Sequence, residues 1–322
     1  MSASVVLLIA TFAMPQTSVA RASYDIVAIV DITGSMNVRD YTAASRPVSR
    51  LDKVKAELRD MATKLPCPSR VGLGVFTERR PFLLFEPIDV CADFSPLETA
   101  IAALDWRMAW EGDSRVSAGL YRAIEMAREL KADLLFFTDG QEAPPLPASG
   151  APTFDGKPGE THGLIVGVGG YELSPIPKFD DRGREIGFVG IEEVPHESRF
   201  GLPPKGAEQR EGFNTRNAPF GATAAVGVEH LSSVKEDYLL TLADKTGLNY
   251  AHLDDGARLL KAYLGTATVR MRQSRLDLRP LLGTVAAAML FGAFAAAPLF
   301  TRLSRVLNTL TFDLRLQSRS KQ

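Results

Sequence analysis

Apolar and polar positions alternate along the chain in two periods. Tyr24-Asp25-Ile26-Val27-Ala28-Ile29-Val30 is a nearly unbroken apolar run, the pattern of a strand covered on both faces. Residues 51–65 then place Leu51, Val54, Leu58, Met61, Ala62 and Leu65 at helical spacing. Two strand-like runs, 71–77 and 82–88, flank Glu78-Arg79-Arg80 and predict a hairpin. Ser95-Pro96-Leu97-Glu98 is a capping-box pattern that predicts a helix to residue 104. Residues 116–130 predict another, with Leu120, Ile124, Ala127 and Leu130 on one face. Residues 133–138 and 163–168 read as buried strands. Ser233-Val234-Lys235-Glu236 is a second capping box, opening a helix to Lys245 that Gly247 stops. A short strand over 249–253 and a helix over 255–264 complete the series. Strands alternating with helices predict an α/β fold, an open, mostly parallel, doubly wound sheet with helices on both faces.

Two stretches break the rhythm. Residues 171–230 hold eight Gly and six Pro without sustained periodicity, apart from a small hairpin expected over 185–194. A run of this length inside a domain is often functional. It follows the strand at 163–168, which predicts that it lies on the same sheet edge as the loops discussed below and shapes what binds there. Residues 266–280 form a basic connector.

The ends carry their own signals. Residues 5–14 are a short apolar run, with no Lys or Arg before it, and Ala20-Arg21-Ala22 offers a small-residue cleavage site, so 1–22 reads as a signal peptide. Residues 281–300 are uncharged and apolar; twenty residues rising 1.5 Å each cover a hydrocarbon core of about 30 Å, which predicts a transmembrane helix followed by a basic tail, 301–322. Together these place a domain at 23–265 in the periplasm, anchored in the inner membrane. Cys67 and Cys91 have indices summing to 158, as do partners across the expected hairpin. A disulfide would close its open end and would suit an oxidising compartment; two buried thiols are the alternative. A net charge of −1 gives no reason to expect nucleic acid as a partner.

Candidate chemistry begins at Asp31-Ile32-Thr33-Gly34-Ser35-Met36, where an acid and two hydroxyls follow a buried strand. Three hard oxygens on one tight loop suit a divalent cation, Mg2+ or Ca2+, and not zinc or copper. Asp139 follows the strand ending Phe136-Phe137-Thr138, and Ser114 lies in Glu111-Gly112-Asp113-Ser114-Arg115 before a helix. Taken singly, Ser114 is equally an N-cap and Asp139-Gly140 equally a turn. In an open α/β sheet, however, loops leaving the carboxyl ends of the strands share one edge. Asp31, Thr33, Ser35, Ser114 and Asp139 are therefore the candidate metal residues, and Asp113 reads as a solvated loop acid.

These motifs resemble the metal-ion-dependent adhesion site of von Willebrand factor A domains: Asp31-x-Thr33-x-Ser35, then Ser114-Arg115-Val116-Ser117-Ala118-Gly119-Leu120, then Thr138-Asp139-Gly140, within a likeness covering about 24–265. The family usually has Ser at the position of Thr33 and Thr at that of Ser114, so each hydroxyl is kept. The resemblance implies hydroxyls of Thr33, Ser35 and Ser114 on or near the metal, with Asp31 and Asp139 binding it directly or through water. It also implies one coordination position left for an acidic residue of a partner protein. The layout with Gly167-Val168-Gly169-Gly170 and a C-terminal membrane helix is similar to the membrane-anchored bacterial branch, and within it to the MxaL-type accessory proteins of periplasmic methanol oxidation. That implies methanol dehydrogenase or its other accessory proteins as partner, and a role in its assembly or calcium insertion. The alternative is a generic membrane-anchored adaptor.

A Mg-dependent phosphatase is a further alternative, since Asp-x-Thr-Gly-Ser after a strand resembles the nucleophile loop of haloacid-dehalogenase-type enzymes. That chemistry uses a second Asp as general acid where this chain has Thr33. His162, His196, His230 and His252 are scattered and form no triad pattern. A non-enzymatic binding domain is the expectation.

Overall fold

Asp25–Asp31 forms β1, buried at all seven positions, and the main sheet is ordered around it. The computed structural model describes residues 2–12, 16–109, 113–146, 150–180, 182–193, 228 and 230–294. Its two units are Ala22–Arg272, and Met1–Arg21 with Gln273–Gln322. In the first, β1 is followed by α1 (Arg50–Lys64), β2 (Arg70–Thr77), β3 (Arg80–Asp89), α2 (Phe94–Ala103), α3 (Val116–Glu129), β4 (Asp133–Thr138) and β5 (Gly163–Gly167). Then come α4 (Glu236–Thr246), β6 (Asn249–His252) and α5 (Gly256–Leu264). The six strands lie in the order β6-β5-β4-β1-β2-β3. All neighbours are parallel except the hairpin β2–β3. The sheet is therefore mixed and mostly parallel, as the periodicity predicts.

Successive residues of β1 serve opposite layers, because side chains alternate across a strand. Ile26, Ala28 and Val30 meet Leu51, Val54, Leu58 and Met61 of α1, with Leu97 and Ile101 of α2 and Leu259 and Tyr263 of α5. Val27 and Ile29 meet Val116, Leu120 and Ala123 of α3 and Leu239 and Leu242 of α4. This two-sided burial is why these strands read as continuous apolar runs.

Both capping-box expectations are corrected at the helix starts. The helix expected from Ser95 begins at Phe94, with Asp93 at the cap position and no side-chain cap bond. The helix expected from Ser233 begins at Glu236 with Lys235 at the cap position. There the Val234 amide donates to the Gly170 carbonyl and the Lys235 amide to that of Asp139, so tertiary bonds hold 234–235 out of the helix. Gly247 ends that helix in the left-handed region, as expected.

The hairpin turns on two residues, with Thr77 opposite Arg80. Register irregularities between Val71 and Leu73 and between Leu73 and Gly74 shift the pairing towards the open end. Cys67 and Cys91 meet there in a disulfide, with Cα atoms 5.9 Å apart.

The stretch 171–230 is closed at its base where Ser174–Pro175 pairs with Leu231–Ser232. Its hairpin joins Pro177–Phe179 to Glu185–Phe188, earlier than the expected 185–194. Residues 194–227 lie outside the described residues, as do Glu111 and Gly112. Gln16–Ser23, which overlaps the expected leader, pairs with Arg270–Asp277 of the basic connector, and the division between the units falls within both strands. The expected membrane span runs beyond the described residues after 294; residues 279–294 are helical. Among the described residues no helix is long and apolar enough to cross a membrane.

Gly119 of α3 shows how tightly the second layer closes on the sheet. A Cβ at this position would fall 2.0 Å from the Phe76 ring. Gly119→Ala is expected to destabilise the domain by about 1–3 kcal/mol through overpacking. Urea unfolding checks this, and an unchanged midpoint would refute the contact.

Candidate metal centre

Asp31 is the last residue of β1, and the Ile32 amide still donates to the Phe76 carbonyl of β2 at 3.1 Å. The chain then turns sharply into a 3-10 turn, Gly34–Asn37. The Asp31 carboxylate organises that turn. Its Oδ1 accepts from the Thr33 amide (2.9 Å) and from Thr33 Oγ1 (2.7 Å). Its Oδ2 accepts from Thr138 Oγ1 (2.7 Å), the last residue of β4. The strand ends carrying Asp31 and Asp139 are thus tied together through one threonine.

Ser114 is placed by backbone bonds on both sides. Its amide donates to the Ala143 carbonyl (2.7 Å), and the Ala143 amide donates back (2.8 Å). The Glu78 amide donates to the Asp113 carbonyl (3.0 Å) and the Arg115 amide to the Glu78 carbonyl (2.6 Å). The turn between β2 and β3, the Ser114 loop and the loop after β4 are stitched into one rim. Glu142 of the latter accepts from the Ser117 amide and hydroxyl, at 2.9 and 3.0 Å, and so caps α3 from outside it.

The structure brings all five candidate residues to this edge, each buried, with Asp31 and Asp139 at 0% exposure. Asp113 is also buried, which corrects the expectation of a solvated acid. Ser114 Oγ is buried with no hydrogen-bond partner. Thr33 Oγ1 spends its one proton on Asp31, leaving its lone pairs to accept.

Arg50 was not visible as part of this site from sequence. It opens α1, is fully buried, and ion-pairs with Asp139 (2.7 Å) and Asp40 (2.6 Å). A signal existed: Arg50, Val54, Leu58 and Met61 form one stripe, and a charge on a buried stripe needs buried partners. Asp40 and Ser232 belong to the same network and were equally hidden.

The charges bear on what the site can hold. Arg50 pairs with the buried Asp139 and the part-buried Asp40, while the buried Asp31 has no cationic partner among the described residues; with all three carboxylates ionised, one guanidinium leaves a residual of two negative charges. Desolvation, with the Asp139 charge adding to it, pushes the Asp31 carboxyl from 3.8 up to about 7. A divalent cation would balance this residual, and the orphaned Ser114 hydroxyl offers it a ligand. Among the described residues no three His, Cys, Asp or Glu side chains group to hold a metal; the five candidate residues present three hydroxyls and two carboxylates, a set that would suit a hard cation.

Residues 26–141 match the family model for the von Willebrand factor type A domain, a span containing all five candidate residues. No curated protein matches the chain. Similar solved structures include an aerotolerance-related membrane protein from Bacteroides fragilis, 14% identical, covering 76% of this chain and 98% of that one, with a TM-score of 0.45. The conserved hypothetical protein BatB from Bacteroides thetaiotaomicron is 15% identical, covering 74% and 95%, with a TM-score of 0.45. The PilB minor pilin from Streptococcus sanguinis is 14% identical, covering 76% and 60%, with a TM-score of 0.36.

Two outcomes are expected. Arg50→Met strands Asp139 and Asp40 without their cation and should cost about 3–5 kcal/mol in urea unfolding. The raised Asp31 pKa means the folded, cation-free chain keeps a proton that the unfolded chain loses. Its stability should therefore fall as pH rises from 3.8 to about 7, and a saturating divalent cation should flatten that slope. Melting curves across this window, with and without Mg2+, check the sign; a cation-free melting temperature that rises through it would refute it.

Proposed function

We propose that the chain is a non-enzymatic, metal-ion-dependent protein-binding domain held at a membrane. The observation that carries this reading is the buried Ser114 hydroxyl without a partner, at the same edge as Asp31, which has no cationic partner among the described residues, and Asp139, which shares its one guanidinium with Asp40. Ser35, Thr33 and Ser114 would supply hydroxyls to Mg2+ or Ca2+, with Asp31 and Asp139 as the acidic members. Asp139 Oδ2 accepts from Arg50 and Ser232 and Oδ1 accepts from the Gln141 amide, so its contribution falls to the remaining lone pair of Oδ1, directly or through water. A bound cation supplies a coordination position for a carboxylate from a partner protein. Von Willebrand factor A domains are generally protein-binding and non-enzymatic, which agrees with the match over 26–141.

The phosphatase alternative draws no support from Asp31. Both its oxygens are engaged by hydrogen bonds in a fully buried site, the opposite of what a nucleophile needs. Thr33 stands where the general acid would be.

The proposed setting is the periplasm, with the C-terminal helix in the inner membrane. The Cys67–Cys91 disulfide is compatible with an oxidising compartment. Leu281, Val285, Met289, Phe291 and Phe294 are exposed on the helical stretch 279–294, which suits contact with lipid. The narrower role, an accessory factor for methanol dehydrogenase, rests on the layout of the chain alone; the broader role is a membrane-anchored adaptor.

The test is cation-dependent. Ser114→Ala should leave the melting temperature of the EDTA-treated protein unchanged, because the hydroxyl has no partner to lose. The same substitution should abolish the upward shift produced by Mg2+ or Ca2+. Capture of an envelope protein by the immobilised chain should fail in EDTA and with Ser35→Ala. Capture that is equal in all three conditions would remove the metal from the function.

A further inference from the structure

Arg50 does more than neutralise one carboxylate. Its Nη1 donates both to Asp139 Oδ2 (2.7 Å) and to Ser232 Oγ (2.6 Å). Ser232 Oγ in turn donates to the same Asp139 oxygen at 3.0 Å, closing a triangle. Nη2 donates to the Ser232 carbonyl (3.2 Å) and to Asp40 Oδ2 (2.6 Å), and Nε donates to Asp40 Oδ2 (2.9 Å). That Asp40 oxygen also accepts the Gly170 amide at 2.7 Å. Gly169 lies against the guanidinium: a Cβ there would meet Arg50 Nε at 2.5 Å, and its φ of +116° favours glycine.

Residues 169–170 lead into the 171–230 stretch, and Leu231–Ser232 leads out. The two stems pair with each other, and the Val234 amide donates to the Gly170 carbonyl. One guanidinium therefore touches both stems of the stretch and the second acidic member of the candidate metal site. No other described side chain makes hydrogen bonds to Asp139, Ser232 and Asp40 together.

We infer that Arg50 is a positioning residue that couples the cation site to the base of the 171–230 stretch, so that occupancy of the one sets the pose of the other. This rests on the cation reading above. Asp139 cannot turn its carboxylate without disturbing the nitrogen it shares with Ser232, and Ser232 cannot move without disturbing the Ser174–Pro175 pairing. The planar fork is what makes the link possible; a lysine ammonium could pair with one carboxylate but could not bridge Asp40, Asp139 and Ser232 in fixed directions. The partner specificity expected of the stretch would then depend on the cation even where the partner makes no contact with it.

Hydrogen–deuterium exchange on the full-length protein, with Mg2+ alone as probe, tests this at two places: the 33–37 loop and the stems 168–176 and 230–236. In the wild type, Mg2+ should slow exchange severalfold at both. In Arg50→Lys the loop should still respond and the stems should not. If Arg50→Lys lacks a cooperative melt, Ser232→Ala, which removes one hydroxyl of the triangle, carries the same comparison. Wild-type stems that ignore Mg2+ while the loop responds would overturn the coupling and leave the cation reading standing. Stems that respond as strongly in the folded variants as in the wild type would also overturn it. A wild-type loop that ignores Mg2+ would overturn the cation reading and the coupling with it.

Discussion

A guanidinium with no exposed surface is costly unless every N–H finds an acceptor. Arg50 meets that condition at the carboxyl edge of the sheet, where Asp40, Asp139, Ser232 Oγ and the Ser232 carbonyl accept its protons. Those acceptors come from three separate parts of the chain, the segment before α1, the loop after β4 and the exit from the 171–230 stretch at Ser232, and the Gly170 amide, donating to Asp40, ties in the entry to that stretch. Satisfying one buried charge thus fixes the relative positions of the elements that build the site. Removing it would leave acceptors from each of them unpaired in a dry interior.

The sheet makes this concentration of charge possible. Parallel strands deliver the ends of β1 and β4 to one edge, in register through Val30 and Phe137. Close packing below the edge holds the rim, with Gly119 against the Phe76 ring and the 3-10 turn anchored by the Asp31 carboxylate. Asp31 and Asp139 are held close, with the guanidinium engaged by Asp139 and Asp40 and not by Asp31, so the negative charge of Asp31 must go to a proton or to a cation. The proton route is visible in the raised Asp31 pKa. The cation route is the one that also uses Ser114.

Legibility varied with how local each cause was. Strands 25–31 and 133–138 and the helix from 116 stood out because two-sided burial and a helical stripe are written in consecutive residues. The disulfide was legible because a hairpin converts sequence spacing into spatial pairing; the register irregularities in the hairpin bent the arithmetic without breaking it. The capping boxes misled because Val234 and Lys235 answer to Gly170 and Asp139, residues distant in sequence, and not to their own helix. The hairpin inside the 171–230 stretch was displaced for a related reason: glycine- and proline-rich sequence allows several registers, and contacts choose among them.

The amino-acid sequence by itself determined the doubly wound sheet and the edge at which Asp31, Thr33, Ser35, Ser114 and Asp139, hydroxyls and carboxylates only, collect. Periodicity and strand-end acids encode these locally, and the rule that parallel strands share a carboxyl edge does the rest. Tertiary structure alone decided which acid is neutralised from within. Arg50 carries in sequence only the hint of a charge on an apolar stripe, with nothing to say which residues meet it. Its meeting with Asp40 and Ser232 depends on distances across the folded chain, from position 40 to position 232, that no local pattern carries. It also depends on burial, which turns an arginine into a bridge between the candidate metal site and the stretch beside it.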